Sequence, residues 1–170
     1  MPANEPNNAD PYDRMKNLNI RFNPNQTPGG IYEPAVLFGN SLCYVSGHNC
    51  KLDGLLRHKG RVGREVTVDE ARDDARQCIV NILTSLHNAL GDLGRVKKIV
   101  KILAFVASDD SFHEQPKVLD AASQMLIDVF GETIGKAARS AVGVNVLPNN
   151  QPVEIEMLVE LTPDPQRKTA

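Results

Sequence analysis

The hydrophobic positions of this chain fall into two alternating periods, and the switch between them marks its elements. In the last third, Arg139-Ser140-Ala141-Val142-Gly143-Val144 is followed by Leu147-Pro148-Asn149-Asn150 and then by Val153 through Leu161. A side-chain period of two puts Val153, Ile155, Met157, Val159 and Leu161 on one face, and Glu154, Glu156, Leu158 and Glu160 on the other. The pattern predicts two strands joined by a tight turn at Asn149-Asn150, with Glu154 opposite Asn145 and positions 139, 141, 143 and 145 on the Glu154 face. Ala35 to Phe38, a Gly39-Asn40 turn and Leu42 to Ser46 read as an earlier strand pair.

Between the strand pairs the period becomes helical. Val68, Ala71, Ala75, Cys78, Ile79, Ile82, Leu83, Leu86 and Leu90 recur at three and four, with a Thr67/Glu70 capping box before them and Gly91 after them. A strand is predicted from Val96 to about Ala107 and a second helix from about Pro116 to Phe130, with Gly131 as its stop. The order β-β-α-β-α-β-β is satisfied economically by an α+β fold with two helices on one face of a mixed sheet. Residues 29–164 form the single expected domain. Residues 1–28 are an Asn- and Pro-rich extension in which Asp10-Pro11 can start a short helix, with Tyr12, Met15 and Leu18 able to dock it. Residues 165–170 read as a tail.

Composition narrows the functional classes. A chain of 170 residues suits one domain with a sizeable core. The net charge of −2 supplies no global basic field for nucleic acid, and aromatic residues for base stacking are few, with no tryptophan. No apolar run is long enough to span a membrane and no signal-peptide pattern opens the chain, so a cytoplasmic location is expected. Four histidines and three cysteines lack metal-motif spacing, so no metal is expected, and with no Walker loop or GxGxxG after a strand no cofactor is expected. Cys43 and Cys78 fall on apolar faces, whereas Cys50 reads as a free thiol in a loop. The basic stretch from Arg57 to Arg64 reads as a solvated flap.

An arginine and a glutamate on a sheet face otherwise rich in small residues fit either a solvated surface or a polar pocket. Arg139 carries a planar fork suited to a carboxylate, and Glu154 a group able to handle a water or a proton. Read along one hairpin, six residues separate Arg139 from the position opposite Glu154, roughly 20 Å. If both are functional, one of them comes from a neighbouring subunit.

The Ala-Arg-Ser and Glu-Ile-Glu strands resemble the C-terminal signature of the RidA/YjgF family of reactive-intermediate deaminases. Tyr32, Phe38-Gly39-Asn40, Val45-Ser46-Gly47 and the stretch from Val118 to Gly131 match it in the same order, so that the resemblance spans roughly residues 29–161. It implies a homotrimer with sheets facing inward and an inter-subunit cleft. It further implies cofactor-free hydrolysis of small 2-imino acids of the 2-aminoacrylate type to 2-keto acids and ammonia. Carried over residue by residue, Arg139 becomes the carboxylate anchor and Glu154 the water or proton handler, while Tyr32, Ser46, Gly47, His48 and the main chain at Ala141 contact substrate. The chain departs from the family pattern at Ala141, where cysteine is frequent, and at His48, where glutamine is common. It departs again at Asp120-Ala121-Ala122-Ser123 and in a longer Leu52–Arg64 loop. A non-catalytic binder of small carboxylates is the alternative expectation. A ribonuclease or translation-inhibitor role, assigned to some members, is disfavoured by composition.

Overall fold

The computed structural model describes residues 10–163; the start, 1–9, and the tail expected at 165–170 lie outside them. Helix α1 spans Pro11–Asn17, and strands β1 and β2 span Ala35–Phe38 and Leu42–Asn49. Helix α2 (Val68–Leu90), strand β3 (Val96–Ala107), helix α3 (Gln115–Gly135), strand β4 (Ala138–Val144) and strand β5 (Val153–Leu161) follow. The sheet order is β1-β2-β5-β3-β4, antiparallel throughout except for the parallel β3–β4 pair. The fold is therefore the expected α+β arrangement with a mixed sheet.

Local chemistry explains the long helices. The Thr67 hydroxyl accepts from the Glu70 amide, and the Glu70 carboxylate accepts from the Thr67 amide, so two orphan donors of the first turn are satisfied. Gly91 closes α2 in the left-handed region at φ 74°, where a Cβ would be strained. In α3, Gly131 takes φ 80° and ψ 163°, so the regular helix breaks there and one further turn follows to Gly135. Helix α1 starts on Asp10, whose side chain accepts from the Tyr12 amide. Met15 is buried, whereas Leu18 remains exposed.

The core lies between the sheet and helices α2 and α3. Val153, Ile155, Met157, Val159 and Leu161 are all buried, while Glu154, Glu156, Leu158 and Glu160 face the open side, as the alternation requires. Val36, Phe38, Tyr44 and Val142 also stand exposed.

Two expectations for the C-terminal strands are corrected. β4 and β5 are not a hairpin, because β3 runs between them and pairs with both. Parallel strands need a crossover, and α3 supplies it between β3 and β4. The chain then turns at Asn149 and Asn150, both at φ 59°, and crosses the end of β3 to place β5 in mid-sheet against β2. Glu154 consequently lies opposite Phe105 and Asn49, not Asn145.

The second correction concerns faces. Arg139 pairs with Ile102, and Ile102 with Met157, so these three share the helix side. Ala141 and Gly143 follow Arg139 there, while Ser140 and Val142 share the open face with Glu154.

The Arg57–Arg64 stretch, expected as a solvated flap, keeps Arg57, Lys59 and Arg64 exposed but is anchored to the domain at its centre. Val62 is fully buried, Arg61 donates to the Ser108 carbonyl at 2.7 Å, and Gly60 donates to the Asn150 carbonyl at 2.9 Å. Cys50 is, as expected, a free thiol outside the strands, and it is buried.

Candidate functional site

Glu154 sits where three features converge on β2 and β5. The register of the two strands slips between Val45 and His48, which releases Ser46 and Gly47 from regular pairing. Gly47 then lies directly over the Glu154 carboxylate: a Cβ at position 47 would come within 2.5 Å of Oε1. The other oxygen, Oε2, accepts from the side-chain amide of Gln151 at 2.6 Å, and Gln151 is itself buried. Partial burial pushes the Glu154 pKa up, with the nearby Glu156 charge in the same direction and the Gln151 hydrogen bond opposing them. A carboxyl held at two sides and raised in this way can take a proton from water and return it.

His48 points away from this carboxylate, toward α2. It is buried between the Ser46 carbonyl, 2.6 Å from Nδ1, and the Ser85 hydroxyl, 2.7 Å from Nε2. Burial lowers its pKa, only partly offset by the Ser46 carbonyl, so the ring is held neutral. Ser46 donates its hydroxyl to the Glu33 carbonyl at 2.7 Å, tying β2 to the segment before β1. The Tyr32 hydroxyl accepts from the Gly29 amide at 3.1 Å, and its ring is about half exposed.

Tyr32, Gly47 and His48 border a single chamber of about 520 Å³, walled by residues 23–35, the end of β2 and the C-terminal half of α2. Sequence reasoning missed most of that wall. Six Asn and Gln residues are among those lining it: Asn23, Asn25, Gln26, Asn49, Asn81 and Asn88. The signal available was the Asn/Gln density of residues 23–26, which read as a mark of an unstructured extension. Instead, Asn23 is buried, its backbone amide donating to Thr84 Oγ1 and its side-chain nitrogen to Asn81 Oδ1 and the Lys51 carbonyl.

Arg139 and Ala141 stand apart from this group. β4 is the sheet edge farthest from β1, and Arg139 lies two strands across and three residues along from Glu154, about 14 Å by strand geometry. The two side chains also leave opposite faces. Arg139 Nη1 donates to Asp120 Oδ1 at 2.8 Å and to Ser123 Oγ at 3.0 Å. Its Nε and Nη2, the parallel donor pair of the guanidinium, have no partner among the described residues. No group of three or more His, Cys, Asp and Glu side chains is placed to hold a metal among those residues. No helix is long and apolar enough to cross a membrane among the described residues.

Comparison with known proteins places this geometry. The family model described as "YjgF/chorismate_mutase-like, putative endoribonuclease" matches residues 20–161. Protein TCP17 of Trypanosoma cruzi is 40% identical over 147 residues, covering 86% of this chain and 91% of its own. A protein of Dermatophagoides farinae named 2-iminobutanoate/2-iminopropanoate deaminase is 30% identical over 137 residues, covering 78% and 87%. Among solved structures, Atu1372 of Agrobacterium tumefaciens, a protein of unknown function, superposes with a TM-score of 0.81 at 39% identity, over 89% of this chain and 93% of its own. The order of motifs along the sequence, the mixed sheet under two long helices and the match over residues 20–161 converge, and the chain belongs to the YjgF/RidA family.

Proposed function

We propose that the protein is a cofactor-free deaminase that hydrolyses small 2-imino acids to 2-keto acids and ammonia, at a site completed by a second copy of the chain. The observation that carries this reading is the Glu154 carboxyl, partly desolvated, pressed against Gly47 and held by Gln151 at 2.6 Å. Glu154 takes a proton from a water as its oxygen bonds to the imine carbon. Glu154 returns that proton to the imine nitrogen, giving the carbinolamine; it then moves the hydroxyl proton to the amino group, and ammonia leaves as the C=O bond forms. A raised carboxyl pKa suits both halves of that shuttle. The named relative from Dermatophagoides farinae lends support at the level of the reaction class.

The substrate carboxylate needs a cation, and Arg139 of the same chain is too far from Glu154 and on the wrong face to provide it. Its Nε/Nη2 pair can accept a carboxylate side-on once β4 of one copy meets the β1–β2 end of another. The open sheet face, with Phe38, Tyr44 and Val142 exposed, suits burial against such copies in a homotrimer. The test is hydrolysis of freshly generated 2-aminoacrylate by wild type, Arg139→Ala and Glu154→Gln, with the assembly size measured in parallel. Turnover by an assembled wild type and its loss in both variants is expected. A stable monomer that is fully active would overturn the shared site, and an inactive wild-type trimer would overturn the deaminase.

A further inference from the structure

The chamber beside Gly47 is far larger than the methyl group of 2-iminopropanoate needs, and its walls have a definite chemistry. Six Asn and Gln residues are among those lining it, and its charged residues are one of each sign, Glu33 and Lys51. An ionised group entering it would meet a like charge as well as an opposite one, at a desolvation cost. A primary carboxamide carries no net charge, so its desolvation cost is smaller and is offset by hydrogen bonds to other carboxamides, to which it donates through nitrogen and from which it accepts through oxygen.

The hydrogen-bond network fixes which way the wall amides point. The Ser46 carbonyl requires a hydrogen on His48 Nδ1, so in the neutral ring Nε2 accepts the hydroxyl hydrogen of Ser85. The Ser85 oxygen then accepts from Gln26 Nε2 at 2.8 Å, which leaves Gln26 Oε1 as a bare acceptor. A second chain runs through Asn81, whose nitrogen donates to the Asn49 and Lys51 carbonyls and whose oxygen accepts from Asn23 and Gln77. It ends in Asn23 Oδ1. Both terminal oxygens are closed off from solvent and lack a partner among the described residues. Two buried acceptors without partners on chamber-lining residues have N–H donors as their chemical complement.

We propose that the chamber receives the side chain of the substrate, and that this side chain carries a neutral donor–acceptor group, a primary carboxamide above all. This rests on the reading of Glu154 and Arg139 as the reacting end, and Gly47, which borders both the Glu154 carboxylate and the chamber, joins the two.

The experiment compares kcat/KM for the 2-imino acids generated by an amino-acid oxidase from glutamine, glutamate and norleucine, with 2-iminopropanoate as the small reference. The glutamine-derived substrate should be preferred over the other two long ones at least tenfold. Asn88→Leu, at an exposed position, should bring that ratio close to one. Calorimetric titration with glutaramate, glutarate and hexanoate gives a readout independent of turnover, with glutaramate binding at least tenfold more tightly. Arg139→Ala should weaken all three ligands alike, whereas Asn88→Leu should remove only the glutaramate advantage. Hydrolysis of 2-iminopropanoate without carboxamide preference would overturn the chamber assignment and leave the deaminase standing. Absence of all hydrolysis would overturn the deaminase, and equal binding of the three carboxylates would then overturn the chamber as well.

Discussion

Gly47 and Glu154 lie in close contact: with the carboxylate where it stands, an added Cβ at position 47 would come 2.5 Å from Oε1 and 3.1 Å from the carboxyl carbon. Gly47 does not have a positive φ, so the constraint is the close approach and not the backbone. The obstructing atom is the end of a flexible side chain, which can move. Gly47→Ala should therefore change stability by less than about 1 kcal/mol, within the ordinary range for substitutions. Moving the carboxylate breaks the 2.6 Å contact with Gln151, however, and turnover should fall tenfold or more. Thermal melts beside steady-state rates will show whether the two effects separate; a large drop in melting temperature with intact activity would refute the arrangement.

Glu154→Gln isolates the charge. The folded-state pKa of Glu154 is raised, so its ionised form is less favourable folded than unfolded. The stability this group contributes is present below its unfolded pKa and is lost as pH rises through the folded value. At pH 7 the neutral variant should be as stable as wild type or more so, while hydrolysis is abolished and keto-acid binding persists. A clear destabilisation at pH 7 would mean that the ionised carboxylate is a structural group.

His48 makes the opposite linkage. Burial lowers its pKa below the ordinary 6.5, so the unfolded chain binds a proton that the folded chain resists. Its contribution is complete above pH 6.5 and declines as pH falls from there toward the folded pKa. Urea midpoints of wild type at pH 8 and pH 5.5 should differ more than those of His48→Gln, because the amide keeps hydrogen-bonding capacity without titrating. Identical pH slopes in the two proteins would show that the ring is accessible to protons in the fold.

Arg139→Ala should cost little stability, because the Asp120 end of its ion pair is exposed to solvent, though Arg139 itself is only 26% exposed, and solvent-screened pairs contribute about 0–1 kcal/mol. Binding of 2-ketobutyrate should weaken by about 30-fold or more, the scale expected when one partner of a desolvated charge pair is removed. Arg139→Lys should recover little, since an ammonium keeps charge but loses the fork. Asp120→Asn offers a check of sign: neutralising the competing carboxylate should tighten keto-acid binding or leave it unchanged. Equal calorimetric affinities for wild type and Arg139→Ala would remove the anchor.

What the sequence determined by itself was local. The Thr67/Glu70 capping box and Gly91 marked both ends of α2, and alternation from Val153 to Leu161 told buried from open positions along β5. The order of the Ser46-Gly47, Ala-Arg-Ser and Glu-Ile-Glu motifs pointed to the family that the comparisons show. What only the tertiary structure decided was partnership. A period of two divides a strand into two faces but does not say which neighbour it pairs with, since that choice depends on contacts distant in sequence. The Asn149-Asn150 turn read as a hairpin because tight turns usually join adjacent strands, yet the α3 crossover places β3 between β4 and β5 and sends Arg139 to the helix side. The same limit hid the chamber. Asn23 and Gln26 look like solvated polar residues until α2 brings Asn81 and Ser85 against them, and only then do their side chains become a wall.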